Sequence, residues 1–165
     1  MEITFRNFDK NDWTAISTIY KQGIETGNAT FQQEVPTWEE WNNNHLQICR
    51  IAAIIKDKIV GWCALIPVSS RCVFQGVAEQ SIYIDQNYRR KKVGEKLLQE
   101  LINQSEKHNF WTLQAGIFPE NIASVQLHQK LGFRIVGIRE KLGKMNNVWR
   151  DVIMLERRSS VIGKS

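Results

Sequence analysis

A chain of 165 residues with 42% apolar and 24% charged side chains has the size and balance of one globular domain, large enough to fold without disulfide or metal staples. No apolar run approaches bilayer length and the start of the chain, with Glu2, Arg6, Asp9 and Lys10, lacks a leader core, so neither a secretory signal nor a bilayer-spanning run is expected and the cytoplasm is the expected compartment. The net charge of +5 admits an anionic partner, but no zinc-finger spacing or RNA-binding aromatic signature accompanies it, which argues against nucleic acid, and Cys49, Cys63 and Cys72 contain no C-x-x-C pair for a metal or disulfide.

Ile3 to Phe8 reads as a first strand, and Asp9 to Asp12 offers N-cap chemistry for a helix with Trp13, Ile16, Ile19 and Tyr20 on one face. After Gly27-Asn28 a loop holds Ala29, Thr30 and Phe31, and Thr37-Trp38-Glu39-Glu40 is a capping-box pattern opening a second helix to about Gln47. Arg50 to Lys56 and Ile59 to Val68 form a hairpin about an expected turn at Asp57-Lys58. Val77 to Ile84 is the next strand, followed by a polar turn, the cations Arg89, Arg90, Lys91 and Lys92, and a helix to about Lys107. Its apolar stripe is Val93, Leu97, Leu98, Leu101 and Ile102. Trp111 to Phe118 is a buried strand stopped by Pro119; Asn121 to Leu131 is helical with Gly132 as its C-cap; Phe133 to Arg139 returns as a strand. Lys141 to Asn147 reads as a basic turn region, Val148 to Glu156 as the last strand, and residues 159–165 as a flexible tail behind a single domain spanning 1–158.

The order β-α-α-β-β-β-α-β-α-β-β, with hairpins early and helix crossovers late, implies an α/β domain with a central mixed, mainly antiparallel sheet and helices on both faces. A doubly wound fold requires a glycine-rich turn after the first strand, which Asn7-Phe8-Asp9-Lys10 is not. Unpaired amides at the start of the helix after Lys92, its dipole and four consecutive cations together make a site for a phosphate-bearing ligand; a solvated basic helix start is the alternative. Glu79, in a strand whose same-face neighbours are Val77, Ser81 and Tyr83, is a carboxylate at a half-buried position, where desolvation raises its pKa toward that of a general base. His128 lies on the inward stripe with Ser124, Leu127 and Leu131, where a hydrogen-bonded core histidine is the commoner role. Phe31, Phe74 and Trp149 are candidates for an apolar wall.

Arg89 to Gly94 resembles the pyrophosphate arm Q/R-x-x-G-x-G/A of the GNAT superfamily of acyl-CoA-dependent N-acyltransferases, with Lys92 and Arg90 standing where glycines are common. The run from Asn121 to Phe133 resembles the later N-x-x-A-x-x-L-Y-x-x-x-G-F segment, with His128 in place of tyrosine. Ser70 to Ile84 and Val148-Trp149-Arg150-Asp151 resemble the phosphinothricin and methionine sulfoximine N-acetyltransferases more narrowly. The resemblance implies an enzyme of this fold with acetyl-CoA as cosubstrate, no metal, a small-molecule amine substrate and a homodimer. It implies Glu79 as general base, directly or through a water, and His128 near the sulfur, protonating the departing thiolate or helping to deprotonate the amine. Coenzyme contacts are implied at Ile82, Tyr83, Ile84, Arg89, Arg90, Lys91, Lys92, Val93, Gly94, Glu95 and Asn121. Substrate contacts are implied at Phe31, Arg71, Cys72, Val73, Phe74 and Trp149, with the Arg71 guanidinium on the substrate's carboxylate. Direct transfer fits, since neither Arg89–Gly94 nor Asn121–Phe133 contains a cysteine to carry the acyl group. The rival readings are acetylation of protein N-termini or polyamines, and an acyl-CoA-binding module without catalysis.

Overall fold

The structure, a computed structural model, describes residues 1–164. Seven strands, β1 (Thr4–Asn7), β2 (Ile51–Ile55), β3 (Lys58–Pro67), β4 (Val77–Ile84), β5 (Thr112–Ile117), β6 (Arg134–Met145) and β7 (Val148–Arg158), form one sheet in the order β1-β2-β3-β4-β5-β7-β6. Helices α1 (Trp13–Glu25), α2 (Trp38–Asn44), α3 (Val93–Lys107) and α4 (Ile122–Lys130) connect them. Every pair is antiparallel except β4 with β5, in agreement with the mixed sheet expected from the element order.

Strand alternation divides the core into two layers. Ala52, Trp62 and Ala64 face α1 and α2, packing with Phe8, Ile16, Ile19 and Trp41. Ile51, Ala53, Cys63, Leu65 and Ala78 face the other way, toward α3. The predicted stripe of α3, Val93, Leu97, Leu98, Leu101 and Ile102, is buried throughout, and each such side chain contributes roughly 1.5–3 kcal/mol. Asp9 and Thr37 accept hydrogen bonds from the amides they cap, as their positions before helical runs require.

The β2–β3 turn falls on Lys56-Asp57, both at positive φ (48° and 63°), rather than on Asp57-Lys58; a two-residue hairpin needs two such residues in succession. The stretch 141–147, expected as a basic turn, is strand as far as Met145, and only Asn146-Asn147 turns, at φ 50° and 63°. Pairing with β7 overrides a polar composition there, and asparagine tolerates the left-handed region better than other side chains. The expected tail starts with a buried Ser159, whose hydroxyl donates to Glu106 at 2.6 Å, while Arg158 donates to the carbonyls of Ile162 and Gly163. Ser165, the last residue of that expected tail, lies outside the described residues. Among the described residues no helix is long and apolar enough to cross a membrane.

Candidate active site

Strands β4 and β5 pair only at Val77↔Thr112, Ala78↔Leu113 and Glu79↔Gln114. Beyond that point β4 continues to Ile84 alongside β3, and β5 continues to Ile117 alongside β7, with no pairing between them. The sheet therefore splits in a V whose apex is Glu79 beside Gln114. The free edge of β4 presents backbone N–H and C=O groups that a ligand's amides can meet as an added strand. Two confluent clefts of about 700 and 570 Å³ occupy the V and share Ala29, Ile82, Tyr83, Asn121 and Ser124.

The larger cleft is floored by Ile82, Tyr83 and Ile84 and closed at one end by Arg89, Arg90, Lys92, Val93, Gly94 and Glu95. Lys92, the residue before α3, offers the first turn of that helix no side-chain cap, which leaves the leading amides available to an anion. Arg90 and Lys92 both adopt positive φ (60° and 63°), a conformation natural to glycine. The Glu95 carboxylate is turned to Lys130 of α4 at 2.9 Å, and this pairing holds its pKa below the usual value; its backbone amide is the part that can serve an anion. Lys91 does not line the cleft, its ammonium resting 5.3 Å from the Tyr88 ring centroid. On the facing wall Asn121 caps α4, accepting from the Ser124 amide at 3.3 Å and donating to the Asn28 carbonyl at 3.3 Å, so its side chain fastens the helix start to the loop after α1.

The smaller cleft holds Glu79, Gln80, Gln114, His128 and Phe31. Glu79 is more exposed than alternation alone suggests, because the split leaves its side unroofed. Enough protein still surrounds it for burial to raise its pKa, opposed by the charge of Arg139. His128 is fully buried. Its Nδ1 lies 2.7 Å from the Ser124 carbonyl, an acceptor, so Nδ1 carries the proton and Nε2 accepts from Gln80 Nε2 at 2.8 Å. Burial also lowers its pKa, so the ring is neutral with both nitrogens engaged. That arrangement suits an orienting residue rather than the proton donor suggested by the resemblance. Phe31 meets Phe118 edge to face at 4.8 Å, and Gly143 gives it room, since a Cβ there would stand 2.8 Å from the Phe31 ring.

Arg71, Cys72, Val73, Phe74 and Trp149 line neither cleft. The Arg71 guanidinium rests 5.4 Å from the centroid of the exposed Phe74 ring, and Val73 and Trp149 are exposed on the surface. The first four lie in residues 68–76 between β3 and β4, of which Val68 lines the smaller cleft. Sequence reasoning overlooked Gln80, Gln114, Arg139 and Arg150. Alternation flagged Glu79 but gave no weight to its neighbour Gln80, and Arg150 appeared only within a resembling run. Among the described residues no group of three or more His, Cys, Asp or Glu side chains is placed to hold a metal ion.

Arg150 of β7 ties the loop between α1 and α2 to the hairpin. Its guanidinium donates to the Gly27 carbonyl at 2.9 Å and to Asn28 Oδ1 at 2.8 Å, and lies 4.1 Å over the Phe118 ring. Because the side chain is only 11% exposed, Arg150→Ala strands two acceptors and should cost about 1–3 kcal/mol. Thermal unfolding reads that loss, and an unchanged midpoint would show the loop is held by other contacts.

YwnH of Bacillus subtilis (strain 168) is 30% identical over 164 residues, covering 96% of this chain and 100% of that one. The L-methionine sulfoximine/L-methionine sulfone acetyltransferase of Salmonella typhimurium is 25% identical over 169 residues, covering 93% of each. A GNAT superfamily phosphinothricin acetyltransferase from Sinorhizobium meliloti, solved in complex with acetyl-CoA, superposes with a TM-score of 0.87 at 24% identity, over 100% of this chain and 92% of that one. The model of the Acetyltransferase (GNAT) family matches residues 12–133, a span that runs from α1 through the split strands and the cationic loop to the end of α4. The chain belongs to the acetyltransferase (GNAT) family.

Proposed function

We propose that the protein transfers the acetyl group of acetyl-CoA to the α-amine of a small amino acid analogue such as methionine sulfoximine or phosphinothricin, directly, within a ternary complex. The observation that carries this reading is the join of the two clefts along Ile82 and Tyr83 on the free edge of β4, with an anion-ready loop at one end of that edge and a carboxylate, Glu79, at the other. In this reading the diphosphate lies on the amides of α3 and on Arg89, Arg90 and Lys92, and the pantetheine amides pair along Ile82 to Ile84. Glu79 takes the amine's proton, directly or through a water, as nitrogen attacks the thioester carbon. The C–S bond then breaks, and the thiolate takes up a proton from solvent. His128 holds Gln80 in place beside the reacting groups.

A thioester-consumption screen over free amino acids, their sulfoximine and phosphinate analogues, short peptides and polyamines tests the proposal. Consumption with the amino acid analogues is the expected result. Consumption confined to peptides or polyamines would replace the substrate class, and coenzyme binding with no turnover on any amine would leave only a binding module.

We also propose a homodimer formed through β6 and β7. β6 is an edge strand, and Ile135, Val136, Ile138, Val148 and Trp149 are 44–58% exposed along this hairpin, an apolar edge of the kind that partners cover. Sedimentation should give about twice the chain mass of 19.2 kDa; a single-chain mass at micromolar concentration rejects it.

A further inference from the structure

We propose that Arg139 is the anion-recognition residue of the acceptor cleft, binding the carboxylate of an amino acid acceptor while the acceptor's amine faces Glu79. This assignment rests on the function proposed above and specifies how that site selects its substrate.

Arg139 lies on β6 just before an irregularity of its pairing with β7. Arg139 pairs with Val152 and Gly143 with Arg150, so residues 140–142 stand opposite Asp151 alone. Extra residues on one strand make a bulge, which bends the strand and re-aims its side chains. The bulge is held by Lys141, at φ 48°, whose amide donates to Asp151 Oδ1 at 2.8 Å. Regular alternation would send Arg139 and Leu142, an odd number of residues apart, to opposite faces of the sheet. With the bulge both line the acceptor cleft, together with Val152.

Charge gives the cleft its selectivity. Among its lining residues Arg139 is the one cation and Glu79 the one carboxylate, His128 being neutral. The other arginines of the hairpin are committed: Arg134 to Glu156, Arg150 to Glu120, Arg157 to Glu106, and Arg158 to the carbonyls of Ile162 and Gly163. Among the described residues the Arg139 guanidinium makes no ion pair and no hydrogen bond, with Glu79 or with any other group. A guanidinium so left keeps its planar fork of donors for an incoming carboxylate, which it can bind through two parallel hydrogen bonds. An α-amino acid carries its two charges in the same sense as this pair, ammonium for Glu79 and carboxylate for Arg139. A polyamine would place a second cation against Arg139.

The test compares an amino acid acceptor with its carboxamide in steady-state kinetics on the full chain. The wild type should prefer the free carboxylate. In Arg139→Met, kcat/KM for the carboxylate substrate should fall roughly 10–100-fold, mainly through KM, and the preference should collapse toward one. Arg139→Lys keeps the charge without the fork and should recover part of the preference. Asp151→Ala, which frees the Lys141 amide and loosens the bulge, should lose part of it by misplacing Arg139. Amino acids acetylated with a preference that survives in Arg139→Met overturn the assignment and leave the proposed function intact. A wild type that consumes thioester only with peptides or polyamines overturns both, as does one that consumes none with any amine while still binding the coenzyme.

Discussion

Glu79→Gln is expected to lower kcat by on the order of 100-fold or more while leaving the affinity for acetyl-CoA unchanged. Glutamine keeps the shape and a hydrogen-bonding group but cannot accept the amine's proton. The residue sits at the apex of the V, paired in register with Gln114, whereas the cationic loop closes the far end of the other cleft, so chemistry and coenzyme binding separate cleanly. In the wild type kcat/KM should fall on acidification through the raised Glu79 pKa, because the base must be ionised to work. That fall should vanish in Glu79→Gln. The effect on stability runs the other way. Burial raises the Glu79 pKa, so the folded chain holds this proton to higher pH than the unfolded chain does. Its contribution to stability is full below the ordinary value of 4.5 and is lost as pH rises through the folded pKa. At neutral pH the variant should therefore unfold no more easily than the wild type, a pattern typical of active-site residues. Wild-type turnover in Glu79→Gln, or the same pH limb persisting in it, would reject Glu79 as the base.

What could be read in the chain before its structure follows the range of the forces involved. The α3 stripe, the caps at Asp9 and Thr37 and the sheet class rest on contacts within a few residues or on simple alternation, and all are found. The V has no local signal, because it depends on where the pairing of β5 with β4 stops beyond Gln114 while its pairing with β7 continues, contacts between segments far apart in sequence. His128 was legible as an inward residue but not as a neutral, doubly engaged one, since Gln80 stands on another element. Arg139 could not be placed by alternation, as a register shift between Ile135 and Gly137 reverses the alternation ahead of it. Arg71 was placed by resemblance and by its suitability for a carboxylate, yet it lines neither cleft. Local chemistry identifies capable side chains, and only the register of β6 on β7 decides which of them reaches the site.

Replacing Arg89, Arg90 and Lys92 together with glutamine should raise the Kd for acetyl-CoA by roughly 100-fold at low ionic strength, since three exposed charges near a phosphate contribute about 1 kcal/mol each. Added salt should weaken wild-type binding steeply and the triple variant little, because screening acts on the charges that have been removed. The backbone supplies the rest of the affinity through the uncapped amides of α3, so binding is weakened rather than abolished. The positive φ of Arg90 and Lys92 sharpens the test. A side chain in that region costs about 1 kcal/mol relative to glycine, partly offset by the greater freedom glycine gives the unfolded chain. The loop thus tolerates strain at two positions where it carries a charge that glycine could not. Lys92→Gln removes the charge and keeps the strain; Lys92→Gly removes both. The glycine variant should be the more stable of the two by less than about 1 kcal/mol, and the two should bind acetyl-CoA equally if charge governs affinity at this position. Tighter binding by the glycine variant would show instead that the Cβ of Lys92 obstructs the diphosphate, and wild-type affinity in the triple variant would remove the loop from coenzyme binding altogether.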